Sequence, residues 1–221
     1  MATRTTVQLD PGIAVYTPRM LRFYDLLVHR ISNRFVWRCP TARLVEQYDR
    51  HVSARHLDVG PGTGLLLDRC RFPVARPELT LLDANPGVLA YAARRLARYL
   101  PTTMEADVRR PLSLGDVRFD SIGLSYVLHC IPSSMADKAR ILSGLAGLLS
   151  PGGILFGSTI LADGVDNCRR SRVVMGLYNR KEIFGNAADN RDELEAALSQ
   201  TCPRFELEVV GSVALFAGSV E

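Results

Sequence analysis

The sequence has little lysine and no paired cysteines, and both shortages narrow the classes of protein to consider. Of the 27 basic residues only Lys138 and Lys181 are lysines, and the arginines are spread along the chain instead of forming one block. A basic face for nucleic acid needs such a block, so no nucleic-acid partner is expected. The five cysteines are far apart and contain no C-x-x-C pair. Neither a disulfide framework nor a metal site is therefore predicted.

Long apolar runs are also missing. No run reaches the roughly 18 apolar residues of a membrane-spanning helix, and the first residues lack the apolar core of a signal peptide. We therefore expect a cytoplasmic protein with reduced thiols and no membrane partner. Apolar residues make up 47% of the 221 residues and charged residues 23%, a globular balance that argues against wholesale disorder. This length suits one domain with a normal core.

The most informative stretch is a glycine-rich turn within the sequence HLDVGPGTGL at 56–65, which follows an apolar run and precedes a helix-like segment. Glycines at alternate positions remove Cβ atoms, so the backbone of the turn can approach a ligand closely. The N-terminus of the next helix presents unsatisfied N–H groups at the same place. Dinucleotide folds, phosphate loops and ordinary turns all use such a turn. The G-x-G-x-G spacing, however, matches neither G-x-G-x-x-G nor the phosphate loop.

Two acids follow later apolar runs. The run Leu79-Thr80-Leu81-Leu82 ends in Asp83, and Asp107 follows a further strand-like segment at 102–106. A carboxylate at the tip of the second strand can accept hydrogen bonds from both hydroxyls of a ribose. Asp107 has a plainer alternative, as a turn cap before Arg109.

Taken in order, D-V-G-P-G-T-G, L-L-D-A-N-P and E-A-D-V resemble the class I S-adenosylmethionine-dependent methyltransferases, from residue 55 to the end of the sequence. The resemblance implies S-adenosylmethionine as the cofactor. It places Asp58 near the methionine amino group, Asp83 on the ribose, and Asp107 on the adenine amino group, with Val108 covering the ring. The predicted cofactor-binding residues are Asp58, Gly60, Pro61, Gly62, Gly64, Asp83, Ala84, Asn85, Asp107, Val108 and Tyr16.

The order of apolar runs and helical segments predicts an α/β fold with a Rossmann-like, seven-stranded, mostly parallel sheet. Strands are expected at 54–59, 79–83, 102–106, 119–125 and 153–160, and an antiparallel C-terminal hairpin at 205–210 and 212–217. Helices are expected at 63–71, 86–99, 134–149, 166–183 and 189–200. Residues 150–153 read as the turn before the fifth strand. The binding domain spans 54–221 in a single compact molecule.

Residues 1–53 are predicted to form a helical arm, with Thr41 as an N-cap. The arm is rich in aromatic residues, and a lid over the ligand cleft is one interpretation of it. Tyr16, Tyr24 and Trp37 are then partial pocket formers, with Tyr24 and Trp37 on the substrate. The alternative is that these rings only pack the arm onto the sheet.

Candidate substrate contacts follow the fourth strand, which in the family passes under the transferring methyl group. Tyr126 and His129 are the natural candidates there, since a neutral imidazole can accept a proton. His129 can equally serve only as a structural hydrogen-bond partner. Tyr178, as a third catalytic candidate, and Asn179, as a substrate contact, lie on a later helix that can also be ordinary packing.

The predicted function is methyl transfer from S-adenosylmethionine to O, N or C of a small, specialised-metabolite-like acceptor. The missing Asn/Asp-Pro-Pro-Tyr/Phe motif after the fourth strand argues against amino methylation of DNA bases or glutamine. Two alternatives stay open: a cyclase or lyase of the same fold that releases methylthioadenosine, and a non-catalytic binding module. The expected partner is a small-molecule substrate, and a homodimer is left open.

Overall fold

The computed structural model describes residues 25–112 and 114–220, and seven strands within them form one sheet. The order is β3-β2-β1-β4-β5-β7-β6. Strands β1 to β5 are parallel to their neighbours among themselves, whereas β7 runs antiparallel to both β5 and β6. The predicted Rossmann-like sheet with a C-terminal antiparallel hairpin is confirmed. The strands are β1 Arg55–Val59, β2 Glu78–Asp83, β3 Thr102–Glu105, β4 Phe119–Ser125, β5 Leu149–Ile160, β6 Arg204–Val210 and β7 Val213–Ser219.

Six α-helices of five residues or more accompany these strands in the described ranges. They are α1 Thr41–His51, α2 Leu65–Arg69, α3 Pro86–Arg95, α4 Met135–Ala146, α5 Arg169–Arg180 and α6 Arg191–Thr201. A π-helical segment, Asp25–Ser32, leads into the short turn Asn33–Phe35, and 3-10 turns lie at Ala97–Tyr99 and Leu128–Cys130. No helix among the described residues is long and apolar enough to cross a membrane.

Helices cover both faces of the sheet. Successive side chains of β1 point alternately to the two faces and so contact different helices. Leu57 and Val59 point into a core shared with α4 and α6. Asp58, between them, points to the other face, where its carboxylate meets the Tyr48 hydroxyl of α1. Apolar residues of α1, α2 and α3 build a second core on that face around Leu81 of β2. Burial on both faces explains why these strands read as apolar runs.

The chain crosses over at β1, and this crossing positions the site. Strand β2 pairs on one side of β1 and β4 on the other. In open parallel sheets a crevice forms at such a switch point, outside the carboxyl ends of the strands. The glycine turn follows β1 at this crevice, and Asp83 ends β2 beside it.

Several helix ends have clear local causes. Pro86 occupies the first turn of α3, where its missing N–H costs nothing, and the Asn85 side chain caps the helix by accepting from the Gly87 amide at 2.9 Å. Ser134 and Asp137 form a reciprocal capping box at the start of α4.

Two local predictions are wrong. Pro40, not Thr41, is the N-cap of α1, and the Thr41 hydroxyl donates instead to the carbonyl oxygen of His29 at 2.6 Å. The turn expected at 150–153 lies inside β5, where the pairing with β4 shifts register between Phe119 and Ser121. Gly152, at φ +73°, supplies the backbone conformation that this irregularity requires.

Candidate active site

A cavity of about 400 Å³ opens at the carboxyl ends of β1, β2 and β4. Its volume lies in the usual range of small-molecule sites. Apolar side chains form much of the wall, and carboxylates of Asp58, Asp83, Asp107 and Glu182 line it as well. Of the residues predicted to bind cofactor or substrate, those on the wall are Asp58, Gly60, Pro61, Gly62, Asp83, Ala84, Asp107, Val108 and Tyr126.

The glycine turn forms one side of this cavity. Gly60 and Gly62 have φ values of +64° and +56°, a region that L side chains rarely adopt. A Cβ at position 60 would lie 2.6 Å from the Val127 side chain, so packing alone explains that glycine. A Cβ at position 62 would meet no atom of residues 25–112 or 114–220 within 4 Å. The space beside Gly62 is therefore open to a ligand, which is the close approach expected of this turn.

Asp83 ends β2 as predicted and lines the cavity. The backbone amide of Asn85 donates to its Oδ1 at 2.8 Å. Burial raises the pKa of Asp83 to about 6, although the amides of Asn85 and Ala84 oppose the rise. The carboxylate is thus poorly solvated, and hydrogen bonds from a pair of ribose hydroxyls would stabilise its ionised form.

Asp58 belongs to a buried polar network under the glycine turn. Tyr48 of α1 donates to Asp58 Oδ2 at 2.7 Å, and His56 Nε2 lies 3.4 Å from the same oxygen. His56 Nδ1 in turn lies 2.8 Å from the Ser121 hydroxyl. Burial and the neighbouring Asp58 hold the pKa of Tyr48 well above its usual value, so the phenol stays a donor. This network fixes the Asp58 carboxylate at the cavity wall.

Asp107 lines the cavity too, but Arg109 holds both of its oxygens. The Arg109 guanidinium donates to Asp107 at 2.7–3.0 Å, and the backbone amide of Arg109 donates to Oδ1 at 3.0 Å. Burial works against ionisation, yet these bonds outweigh it and lower the pKa of Asp107. The turn-cap interpretation therefore describes its present bonds, and its predicted contact with adenine stays a prediction.

Two predicted cofactor-binding residues lie next to the cavity but do not line it. Gly64 is the N-cap of α2, at φ +75°, and is not among the lining residues. Asn85 uses its side chain to cap α3 and is likewise outside the lining set, and its expected place beside the adenosine stays a prediction. Tyr16 and Tyr24 lie outside the described residues.

Tyr126 stands at the end of β4, on the cavity wall, with φ +62°. Such a value is uncommon for a tyrosine and marks a backbone that its surroundings hold in place. Its hydroxyl donates to Asn33 Oδ1 at 3.0 Å, which ties the wall to the N-terminal helical segment.

His129 is not on the cavity wall, contrary to its predicted place in the site. The 3-10 turn after β4 directs its ring inward, where the side chain is 3% exposed and packs edge-on against Phe184 at a centroid distance of 4.5 Å. The Ile160 amide donates to its Nδ1 at 3.4 Å. Burial, together with Lys138, lowers the pKa of His129 to about 3. The geometry supports the structural alternative.

The remaining predicted substrate residues belong to the same packed region. Trp37 is buried beside Phe184, and Tyr178 packs edge-on against Phe184 at 5.0 Å. Asn179 exchanges hydrogen bonds with Asn186 at 2.9 and 3.2 Å. None of these three predicted residues is among those that line the cavity, so ordinary packing accounts for them.

Reasoning from the sequence missed several residues that line the cavity, among them three that come from outside the strand ends and the glycine turn. His29, Tyr48 and Glu182 all line the cavity. His29 and Tyr48 come from segments before β1, and only their docking brings them to the ends of the strands. Glu182, at φ +55°, follows α5 in a turn that no sequence motif marks.

The N-terminal segment is clamped to the glycine turn. Arg95 of α3 donates to Asp25 at 2.6 Å and to the Thr63 hydroxyl at 2.9 Å, and Thr63 donates to Asp25 at 2.5 Å. Because Thr63 lies in the glycine turn and is buried, the three residues connect the arm, α3 and the cavity.

Comparison with known proteins agrees with this geometry. A methyltransferase-domain family matches residues 57–155. The chain is 42% identical over 209 residues to demethylluteothin O-methyltransferase of Streptomyces thioluteus, covering 95% of this chain and 91% of the relative. It is 35% identical over 223 residues to N-methyltransferase vrtF of Penicillium aethiopicum, covering 98% and 92%. The solved complex of DhpI with S-adenosylhomocysteine superposes with a TM-score of 0.65 at 13% identity, covering 95% of each chain, a likeness in fold alone.

The chain belongs to the class I S-adenosylmethionine-dependent methyltransferases. It is an enzyme of this class, and its cofactor is S-adenosylmethionine. The cavity suits this cofactor on its own evidence: open space lies beside Gly62, Asp83 is a desolvated carboxylate at the end of β2, and Asp58 and Glu182 line the same cavity.

Proposed function

We propose that the enzyme methylates a hydroxyl group of a small, partly apolar molecule of the specialised-metabolite type. The observation that carries this proposal is that the apolar residues Val127, Ile131 and Pro132 line the same cavity as Asp83 and the glycine turn. A cavity of about 400 Å³ suits small molecules. The name of the Streptomyces relative, an O-methyltransferase, supports oxygen as the acceptor atom.

Asp58, Asp83 and the glycine turn would hold S-adenosylmethionine, which when bound would supply an electrophilic methyl group for the acceptor oxygen. The chain has to hold and align the two reactants. Such positioning lowers a barrier by roughly 7–11 kcal/mol. A general base typically adds about 10²–10⁴-fold in rate, which is the smaller effect because each factor of ten corresponds to only about 1.4 kcal/mol. Alignment is therefore the main contribution expected of the protein.

Each part of the wall has a role in this alignment. Asp83 accepts hydrogen bonds from the ribose hydroxyls, and Asp58, held by Tyr48, takes the ammonium group of the methionine part. Gly62 lets the backbone approach. Tyr126, held by its bond to Asn33, bounds the region where the acceptor meets the methyl group.

A matched pair of acceptors tests the proposal. The protein is incubated with methyl-labelled S-adenosylmethionine and either 2-naphthol or 2-naphthylamine, which differ only in the acceptor atom. We expect labelled methyl ether from the naphthol and S-adenosylhomocysteine as the nucleoside product. Methylation of the amine alone would contradict the choice of oxygen, and release of methylthioadenosine would favour the cyclase or lyase alternative.

A further inference from the structure

Gly185 lies in the segment 181–190, which connects α5 to α6, and its backbone packs against the turn at 126–132 that follows β4. A Cβ on this glycine would lie 2.3 Å from Pro132 Cα and 2.6 Å from the carbonyl oxygen of Ile131. Both are backbone atoms, so no flexible side chain can swing aside to make room. Gly185 is not among the described residues with a positive φ. The close approach, and not the conformation of the backbone, therefore requires glycine here.

Hydrogen bonds hold Gly185 in this contact from two sides. Its amide donates to the carbonyl oxygen of His129 at 2.8 Å, and its carbonyl oxygen accepts from Lys138 Nζ at 2.9 Å. Lys138 of α4 also donates to both carboxylate oxygens of Asp189, at 2.6 and 2.7 Å. Lys138 and Asp189 are both buried. Because breaking a buried ion pair is strongly unfavourable, this pair keeps the segment 181–190 against α4.

The segment 181–190 is held on its other side as well. Asn186 is fully buried, and its Nδ2 donates to the carbonyl oxygen of Ile160 at the end of β5, at 2.8 Å. Its Oδ1 accepts from Asn179 Nδ2 of α5 at 2.9 Å. The segment therefore has little room to move back. Ordinary van der Waals contact begins near 3.4 Å, so a methyl group at position 185 would force the segment and the turn apart by about 1 Å.

The two parts that meet at Gly185 both contribute to the cavity wall. Ile131 and Pro132 of the turn line the cavity, and so does Glu182 of the segment 181–190. The structure does not place Gly185 itself among the lining residues. It acts through its neighbours, because a close-packed interior transmits a displacement of this kind. The separation of the two parts of the wall thus depends on the missing side chain at position 185.

We propose that Gly185 is a positioning residue for acceptor specificity: its close approach to Pro132 sets the width of the cavity where the acceptor binds. This inference rests on the proposed function, because it takes Ile131 and Pro132 as side chains that the acceptor contacts. The second ring of 2-naphthol gives it more apolar surface to bury against them than phenol has. The wild type should therefore prefer 2-naphthol to phenol, and displacement of the wall should weaken that preference.

The first test measures the contact itself, without turnover. Hydrogen exchange of a peptide spanning 181–190 is followed by mass spectrometry in the complex with S-adenosylhomocysteine. In Gly185→Ala we expect faster exchange, because the displaced amide of residue 185 loses its bond to His129. The matched control is Gly218→Ala in β7, where a Cβ would lie 2.6 Å from the Cys202 side chain, away from the cavity wall. This control should leave exchange at 181–190 unchanged, and unchanged exchange in Gly185→Ala would overturn the proposal.

The second test measures the choice of acceptor. In Gly185→Ala we expect kcat/KM for 2-naphthol to fall on the order of 100-fold, since a misplacement of about 1 Å can cost that much. The value for phenol should fall less, so the ratio of the two should drop. A smaller amount of folded protein lowers both values equally, and the ratio therefore separates specificity from stability. Affinity for S-adenosylhomocysteine by calorimetry should match the wild type, and Gly218→Ala should keep the wild-type ratio.

A double variant loosens the same contact without adding volume at position 185. Lys138→Met combined with Asp189→Asn removes both charges of the buried pair together, so that neither is left unpaired. It also removes the donor to the Gly185 carbonyl. The preference for 2-naphthol should again weaken, and this variant decides the question if Gly185→Ala does not bind S-adenosylhomocysteine. An unchanged preference in a variant that binds it normally would overturn the proposal, as would equal kcat/KM for the two acceptors in the wild type.

Failure of the proposed function gives a different result. Methylation of 2-naphthylamine but not of 2-naphthol by the wild type refutes the hydroxyl as the acceptor group. The size preference is then measured with 2-naphthylamine and aniline, which differ by the same ring. A loss of that preference in Gly185→Ala supports the role of Gly185 in this case too, and an unchanged preference refutes it.

Discussion

Replacing Asp83 with asparagine should make the cofactor-free protein more stable while it weakens cofactor binding. Raising the pKa of this carboxyl from 3.8 to about 6 penalises its ionised form. Each pH unit corresponds to about 1.4 kcal/mol, so the penalty at neutral pH is about 3 kcal/mol. An asparagine avoids the charge and keeps an oxygen for the Asn85 amide. We expect the free energy of unfolding of Asp83→Asn to exceed that of the wild type by about 1–3 kcal/mol at neutral pH.

The pH dependence of this gain has a definite sign. Because the folded-state pKa of Asp83 is raised, its favourable contribution to stability is fully present below about pH 4 and is lost as pH rises through about 6. The advantage of Asp83→Asn should therefore shrink toward zero near pH 4. Urea unfolding of the wild type and of Asp83→Asn without cofactor, at neutral pH and near pH 4, measures this difference in the free energy of unfolding.

Binding should change in the opposite direction. Hydrogen bonds to charged groups contribute about 1.5–3 kcal/mol each, so losing the carboxylate should raise the Kd for S-adenosylhomocysteine on the order of 100-fold. In the wild type the same affinity should weaken below about pH 6, as Asp83 takes up a proton.

Asp120→Asn is the matched control for Asp83→Asn. Asp120 lies near the start of β4, and the Arg55 bond lowers its pKa. This variant should bind S-adenosylhomocysteine normally and should not gain stability at neutral pH. The reasoning fails if Asp83→Asn shows no gain at neutral pH, or shows the same difference at both pH values.

Three further variants test other parts of the site. Gly62→Ala should bind S-adenosylhomocysteine more weakly in calorimetry, whereas Gly115→Ala should bind it normally. Both glycines have a positive φ and open space around a Cβ. Both variants should therefore lose about 1–2 kcal/mol of stability. Tyr48→Phe removes the hydroxyl that donates to the buried Asp58 carboxylate and should lower the free energy of unfolding by about 1–3 kcal/mol in urea. Arg95→Gln should expose the N-terminal segment to limited proteolysis and weaken cofactor binding, whereas Arg94→Gln, an exposed neighbour, should do neither. Equal behaviour of the paired variants would contradict these roles.

Local rules account for much of the polar half of the site. A glycine turn after an apolar strand, and an acid at the end of the next strand, reach the same edge of a parallel sheet because all such strands end there. The sequence therefore placed Asp58, Gly60, Gly62 and Asp83 together without coordinates. The structure confirms the fold class that brings them there, and the cavity lies where this rule puts it.

Two predicted site residues have a structural role that reasoning from the sequence could not distinguish from a contact with ligand. Asn85 stands at a strand end, which suggested a ligand contact, but asparagine is also a preferred N-cap, and the Gly87 amide takes its oxygen. His129 follows β4 as a catalytic group would. The 3-10 turn Leu128–Cys130 rotates its ring into the core, and sequence spacing alone does not encode that rotation.

The sequence by itself determined the succession of strands and helices along the chain, because it depends on the order of apolar runs, and its resemblance to a known family implied the cofactor. Only the tertiary structure decided which side chains complete the cavity. His29 and Tyr48 reach it from segments before β1, held by bonds to Thr41 and Asp58. Such contacts join residues through packing in three dimensions, and no periodicity along the chain records them.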